Sequence, residues 1–479
     1  MSNEKKQFRE RDLDFEAKMS ASESLMWRVA ADPWLDPSGS LVAPLDQPAD
    51  IDYLRAKILR GILSVPRMIE RVVEGAHALD TPHWELDPDF DIDNHLAEVD
   101  VAAPGDLRAL LELTTRLHTT PYEPDRPPWL IYSVRGLADG KGALIARVHH
   151  SVADGIGALR ISEIYLDLER NPEPPEPVDI AAVMQERAEA EDDITAEPTS
   201  MADIARDAIG TPLQLARAVA GEAALIGADP ARLRDAAEAV IDGVKSTVGP
   251  LLSDPETGSP LWKDRSGDRY LVTASMSLEA AKRRAKSWGG TINDLFVTAI
   301  AEAAAKLHAD ADIAEPALSM SYVRSTRSGS GTGGNAFTPT PITAPAGSLT
   351  SEERFSRLQA AMAPSESSGS AISLDTVGTI ASLLPSATLS KLGRRQGRGF
   401  DLITSNLKGS PIPIYVGGAR VEATYPVGPV AGAAANATLM SYDGSLDIGI
   451  MIDPAAITNP ERFRELLQAT LDEFASDDG

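Results

Sequence analysis

The sequence predicts a mixed α/β (α+β) protein of two domains joined by a helical crossover. Three observations carry this. The chain has 479 residues, more than one core of roughly 100–200 residues holds. Strand and helix patterns alternate in both its first and last parts. Between them lies a stretch rich in Ala, Glu, Asp and Arg, without an aromatic residue, that opens on the proline-rich break Asn-Pro-Glu-Pro-Pro-Glu-Pro. The division expected is residues 1–170, a linker over 171–258, and residues 259–479.

In the first part, Asp106 to Leu117 reads as a helix, with Leu107, Leu110, Leu111 and Thr114 at helical spacing. A hairpin follows: Leu130–Val134 and Ala143–Val148 are apolar, β-branched runs, and Asp139-Gly140 lies in the loop between them. The segment HHSVADG comes next, then a helix with Ile161, Ile164 and Leu168 on one face. In the linker, Leu233, Ala237, Val240, Ile241, Val244 and Val248 form an apolar helical stripe. Packing on a neighbouring domain is its first reading and contact with lipid its second. In the last part YLVTASMSL, ALSMSYV, DLITSNL, GARVEATY, ATLMSY and LDIGIMID read as strands, with Asp443-Gly444 as a hairpin turn. Helices are expected over Leu278–Ser287, Ile292–His308 and Pro460–Phe474.

Composition excludes several functions. There are 45 Lys and Arg against 71 Asp and Glu, a formal charge of −26. Nucleic-acid binding needs clustered cations and is not expected. With no cysteine, thiolate nucleophiles, iron–sulfur clusters and Cys-ligated zinc are excluded. The charged amino terminus has no apolar h-region after it, and no run of eighteen apolar residues occurs. The location expected is the cytoplasm, with peripheral attachment to the inner membrane or to lipid inclusions as the alternative.

Chemistry concentrates at His149 and His150, with Asp154 four residues after the second and Gly155 beside it. An imidazole at the end of an apolar strand suits removal of a hydroxyl proton near neutral pH. The other readings are a surface or satisfied polar pair, or a metal site. Adjacent strand residues point to opposite faces, and no H-E-x-x-H spacing occurs, so no metal is expected. A serine hydrolase lacks its G-x-S-x-G.

HHSVADG matches the H-H-x-x-x-D-G motif of the CoA-dependent acyltransferase superfamily. Further segments resemble the bacterial wax ester synthase/diacylglycerol acyltransferase family along most of the chain: FDIDNHLAEVDVAAPG and LHTTPYEPDRPPW ahead of the histidines, SPLW at Ser259–Trp262, Asn293-Asp294 inside GGTINDLFVTAIAEAA, and the late segment SNLKGSPIPIYVGGARVEATYPVGPV. The resemblance implies two chloramphenicol-acetyltransferase-like domains, each a mixed sheet with helices, and an active site between them. It implies transfer of a long-chain acyl group from acyl-CoA to a fatty alcohol or diacylglycerol, with acyl-CoA as substrate and no cofactor. The alternatives are an acyltransferase for a glycolipid or secondary-metabolite alcohol, and a lipid- or acyl-CoA-binding paralogue without activity.

By the same resemblance His150 is the general base, His149 its supporting neighbour, Asp154 a residue that shapes the loop, and Gly155 the close turn into the next helix. Asn293 has two readings, an amide that serves the oxyanion or His150, and a helix N-cap; Asp294 suits the first turn of that helix. Asn406 belongs to the late motif. Two basic clusters are candidates for the CoA phosphates: Lys282, Arg283, Arg284 and Lys286, and Lys391, Arg394, Arg395 and Arg398. A solvated helix face is the other reading of the first. Three departures from the family stand out, one of them Leu130 after Arg126-Pro127-Pro128-Trp129, where the family often has an acidic residue. LDPSGSLVAPLD replaces its usual amino-terminal strand motif, and Lys408 stands inside the late motif.

Overall fold

The computed structural model describes residues 17–74, 81–153, 155–194, 258–313, 317–325, 337–345, 347–363, 378 and 386–476. In chain order the elements are α1 (Ala21–Val29), β1 (Gly39–Leu45), α2 (Ile51–Ile62), β2 (Glu70–Val73), β3 (His83–Leu86), β4 (Leu96–Asp100), α3 (Leu107–His118), β5 (Trp129–Arg135), β6 (Gly142–Val148), α4 (Gly155–Ser162) and α5 (Ile180–Ile194). There follow β7 (Tyr270–Ser277), α6 (Leu278–Ser287), α7 (Ile292–Ala309), β8 (Ala317–Ser325), β9 (Phe337–Pro345), α8 (Ser351–Met362), α9 (Ser386–Gly397), β10 (Leu402–Lys408), β11 (Tyr415–Val416), β12 (Ala419–Arg420), β13 (Tyr425–Val427), β14 (Ala435–Tyr442), β15 (Ser445–Ile452) and α10 (Pro460–Ala475).

Two mixed sheets organise the molecule. The first has the order β13-β1-β6-β5-β4 and the second β7-β15-β14-β10-β8-β9. In the first only β4 and β5 run parallel. In the second β10 runs parallel to both β14 and β8. The pairs β2–β3 and β11–β12 are separate two-stranded ribbons.

Local chemistry sets several boundaries. Asp106 caps α3 by accepting from the Ala109 amide, and Thr291 with Asp294 forms a capping box at α7. Asp443 (φ 40°) and Gly444 (φ 85°) make the tight turn between β14 and β15, where a left-handed backbone favours glycine. Strand β9 carries Pro339, Pro341 and Pro345 at alternate positions and lies at the sheet edge, where alternate amides need no partner.

Each sheet has its own core. Alanines of α7 (Ala299, Ala301, Ala303 and Ala304) are fully buried between the second sheet and its helices. On one face of the first sheet, Leu54, Ile58 and Ile62 of α2 pack with Trp129, Ile131 and Leu144. On its other face, Leu110, Leu111 and Leu113 of α3 pack with Val134 and Ile145, and with Leu271 and Met451 of the second sheet. That third cluster glues the halves together. Strand β13 does the same covalently, since it follows β10 in the chain yet pairs with β1 of the first sheet. Gly449 in β15 allows this crossing, because a Cβ there would run into the Pro426 carbonyl oxygen.

Several expectations need correction. LDPSGSLVAPLD does form a strand, β1, which sits inside the first sheet between β13 and β6. GARVEATY is not one strand: it divides into β12 and the start of β13. Helix α4 stops at Ser162, so Leu168 leaves the expected apolar face and is 74% exposed. Leu107 is likewise exposed, and Leu110, Leu111 and Thr114 carry the packing of α3. The stripe Leu233–Val248 lies outside the described residues. Among the described residues no helix is long and apolar enough to cross a membrane.

Candidate active site

His149 and His150 follow the last residue of β6, and their environments differ. His149 is buried. Its Nδ1 accepts from the Ser151 amide at 3.1 Å and lies 2.7 Å from Ser151 Oγ, which places the ring proton on Nε2. Trp27 of α1 and Tyr122 meet the ring edge-on, at 5.3 and 6.1 Å between centroids. Burial first, with the charges of His150 and Arg147, pushes this imidazole down to about 3 despite the opposing Asp36 carboxylate. A group that stays neutral through the physiological range, enclosed on all sides, suits a structural role.

His150 is partly exposed. Its Nε2 faces the first residue of β1: a Cβ added at Gly39 would lie 3.9 Å from it. Glycine at this position keeps a side chain away from the nitrogen. Of the two rings, His149 is enclosed and His150 is the more exposed.

The second half of the molecule reaches the same place through β10. A Cβ on Gly155 would sit 2.9 Å from Leu407 Cδ2, so the glycine lets the start of α4 approach β10 closely. Beside Leu407, Asn406 donates through Nδ2 to Asn293 Oδ1 at 3.5 Å. The structure thus links Gly155 of the motif, through Leu407 and the neighbouring Asn406, to Asn293 in the second half of the chain. Asn293 is not the N-cap of α7: Thr291 is, and Asp294 completes the cap by accepting from the Thr291 amide and hydroxyl, both at 2.8 Å. The Asn293 side chain is thereby left to face Asn406. Asp154 lies outside the described residues.

The basic clusters separate. Arg284 donates to the carbonyls of Phe474 (3.0 Å) and Ser476 (2.5 Å), so it closes the end of α10 rather than facing the histidines. Arg283 pairs with Glu279 on the same helix, and Lys286 is exposed nearby. In the other cluster Arg394 holds Asp32 and, with Arg398, flanks the Trp34 ring.

Residues that the sequence reading passed over complete the surroundings. Arg147, two residues before His149 and on the same side of β6, is buried. It donates to Asp36 Oδ2 (3.3 Å) and Ser38 Oγ (3.4 Å), and to the Leu117 (3.3 Å) and Thr120 carbonyls at the end of α3. Its guanidinium lies 3.9 Å over the Tyr122 ring. His118 Nδ1 bonds Ser40 Oγ at 2.8 Å. A charged residue inside the apolar run ALIARV was the signal available for Arg147.

Comparison with known proteins first gives the class. A wax ester synthase/diacylglycerol acyltransferase from Marinobacter aquaeolei VT8 superposes with TM-score 0.62 at 20% identity, covering 95% of this chain and 98% of its own. The first condensation domain of the calcium-dependent antibiotic synthetase superposes with TM-score 0.53 at 16% identity, covering 97% of each. The fold is therefore the chloramphenicol-acetyltransferase-like one that these proteins share. Residues 17–296 match the family model described as the wax ester synthase/diacylglycerol acyltransferase catalytic domain, and residues 334–475 match its C-terminal domain. The chain belongs to this family and is an acyltransferase. A putative diacylglycerol O-acyltransferase of Mycobacterium tuberculosis H37Rv is 29% identical over 470 residues, covering 94% of this chain and 90% of its own length. A probable diacylglycerol O-acyltransferase of the same species (strain CDC 1551) is 26% identical over 403 residues, covering 81% and 82%.

Proposed function

We propose that the protein transfers a long-chain acyl group from acyl-CoA to the hydroxyl of a diacylglycerol or fatty alcohol, with His150 as general base. The observation that carries this is the contrast between the two rings: His149 is enclosed and neutral, while His150 is the more exposed and turns Nε2 toward Gly39.

In this reading Nε2 of His150 takes the hydroxyl proton as the oxygen attacks the thioester carbonyl carbon. The tetrahedral oxyanion collapses, the carbon–sulfur bond breaks, and the imidazolium returns its proton to the CoA thiolate. The products are the ester and free CoA. No acyl-enzyme forms, in keeping with a chain that has no cysteine. The Asn293–Asn406 pair supplies amide donors beside the motif loop, suited to the oxyanion. Lys286 and the Arg398 side of α9 are candidates to meet the CoA phosphates, and no further cofactor takes part. Acceptors of this class dissolve in bilayers, so the enzyme meets them at a lipid surface.

The test is CoA release from palmitoyl-CoA, followed with a thiol reagent, across a panel of acceptors. Release that depends on added hexadecanol or dioleoylglycerol is expected. Release only with a polar or sugar alcohol, or binding of acyl-CoA with no turnover, overturns the assignment.

A further inference from the structure

We propose that Arg147 and Asp36 are positioning residues for acyl transfer: the ion pair of the buried guanidinium with the partly exposed carboxylate anchors the strand end that carries both histidines and balances the charge under which His150 exchanges its proton. The inference rests on His150 being the base.

The geometry is that of a clamp. The Arg147 guanidinium reaches four acceptors, in the loop ahead of β1 and at the end of α3, and its face covers Tyr122. Tyr122 in turn meets the His149 ring, and Ser151 holds that ring from the other side. Asp36 accepts from the Ser38 amide (2.9 Å) and hydroxyl (2.6 Å) besides Arg147, and Ser38 immediately precedes the Gly39 that faces His150. One ion pair thus ties the His150 side of β1 to the His149 side of β6.

A guanidinium as deeply buried as that of Arg147 is costly unless compensated, so a pair kept beside the reacting group needs a reason. Apolar residues could staple the same elements. Only charges of opposite sign also set the local field. Asp36 and Arg147 oppose each other there. His118 on α3, His149, Tyr122, Tyr132 on β5 and Arg269 just before β7 (itself near Asp453, at 3.9 Å) are titratable or charged groups around the pair. Residues 147 and 150 are three positions apart, at most about 10 Å along the chain, and at that distance one uncompensated charge shifts a titration by about one pH unit at a protein's effective dielectric.

The experiment is a proton-NMR titration of the His150 ring in the full chain, assigned by its loss in His150→Ala, beside the pH profile of kcat/KM. Asp36→Asn leaves the guanidinium uncompensated and lowers the His150 pKa by about one unit. Arg147→Met leaves the carboxylate, still held by Ser38, and raises it by a similar amount. The double variant is again balanced and titrates within a few tenths of the wild type, whereas a merely structural clamp gains nothing from the second change. Arg147→Lys keeps the charge but not the fork, so it leaves the titration in place and lowers kcat with KM unchanged. Single variants that leave the His150 titration unmoved overturn the proposal. If a single variant does not fold, a displacement of a full unit in the double variant or in Arg147→Lys does so instead. The titration needs no turnover, so an active His150→Ala enzyme sinks the assignment of the base without being mistaken for a failure of the clamp.

Discussion

The two sheets have the same layered build but are held by different physics. Beneath the first sheet lies a polar cluster of buried Arg147, His118 and His149 with the half-buried Asp36, each with named partners. Behind the second, fully buried alanines of α7 share one apolar cluster with Ile448, Ile450 and Phe463. The histidines sit beside the polar cluster, and the second half of the chain supplies Asn406, Leu407 and the strand β13 that pairs with β1. The surroundings of the histidines are thus sensitive to charge. The α7 face of the second sheet is sensitive to volume.

The largest expected effect comes from acid. Burial, with Arg147 next, pushes the His118 imidazole down from 6.5 to about 4. The unfolded chain takes up this proton near pH 6.5 and the folded chain refuses it until about pH 4, so stability falls as pH falls through that window. The sum for His118 alone is up to ~3 kcal/mol, and His149 adds to it in the same direction. Urea unfolding at neutral pH and near pH 4.5 measures the slope, which His118→Gln flattens. An equal slope in the variant removes the distinction drawn here. His308 in the second half is also lowered by burial, so the acid slope is reduced in the variant but not abolished.

A smaller loss tests the other side. Ala301→Leu forces three extra carbons into a fully buried site on α7 and costs about 1–3 kcal/mol. The melting temperature falls, while kcat per folded molecule holds. Smallest in stability is Gly39→Ala. Its Cβ would make ordinary contacts at 3.7 Å to Val427 O and 3.9 Å to His150 Nε2, so the fold is kept. The methyl group nonetheless occupies the space beside the nitrogen, and kcat/KM drops a few-fold. Unchanged kinetics would place the substrate elsewhere on the ring.

Much of this was legible in the sequence because short-range chemistry wrote it. Leu278–Ser287 was bounded correctly by its capping serine, Ser277, and by the Trp288-Gly289-Gly290 stop. The β14–β15 hairpin followed from Asp443-Gly444. Strand β9 escaped notice because proline argues against strands unless alternate positions face outward at an edge. Strand β1 escaped because it was weighed against a motif it lacks, although its apolar run was present. The crossing of β13 into the first sheet could not be read at all, since it depends on Gly449 meeting a backbone remote in sequence. At the site, the HH pair and Asn293 were visible as motifs. The clamp under them was visible only as one arginine in an apolar strand, and its partner Asp36 is more than a hundred positions away.

The central claim is that the half-open ring at the end of β6 moves the acceptor's proton. Its most direct test is CoA release by His150→Ala beside the wild type, on the same palmitoyl-CoA and the same acceptor, with melting curves for both. The account predicts a loss of roughly 10²–10⁴-fold with the melting temperature preserved. Equal turnover by the folded variant would contradict it.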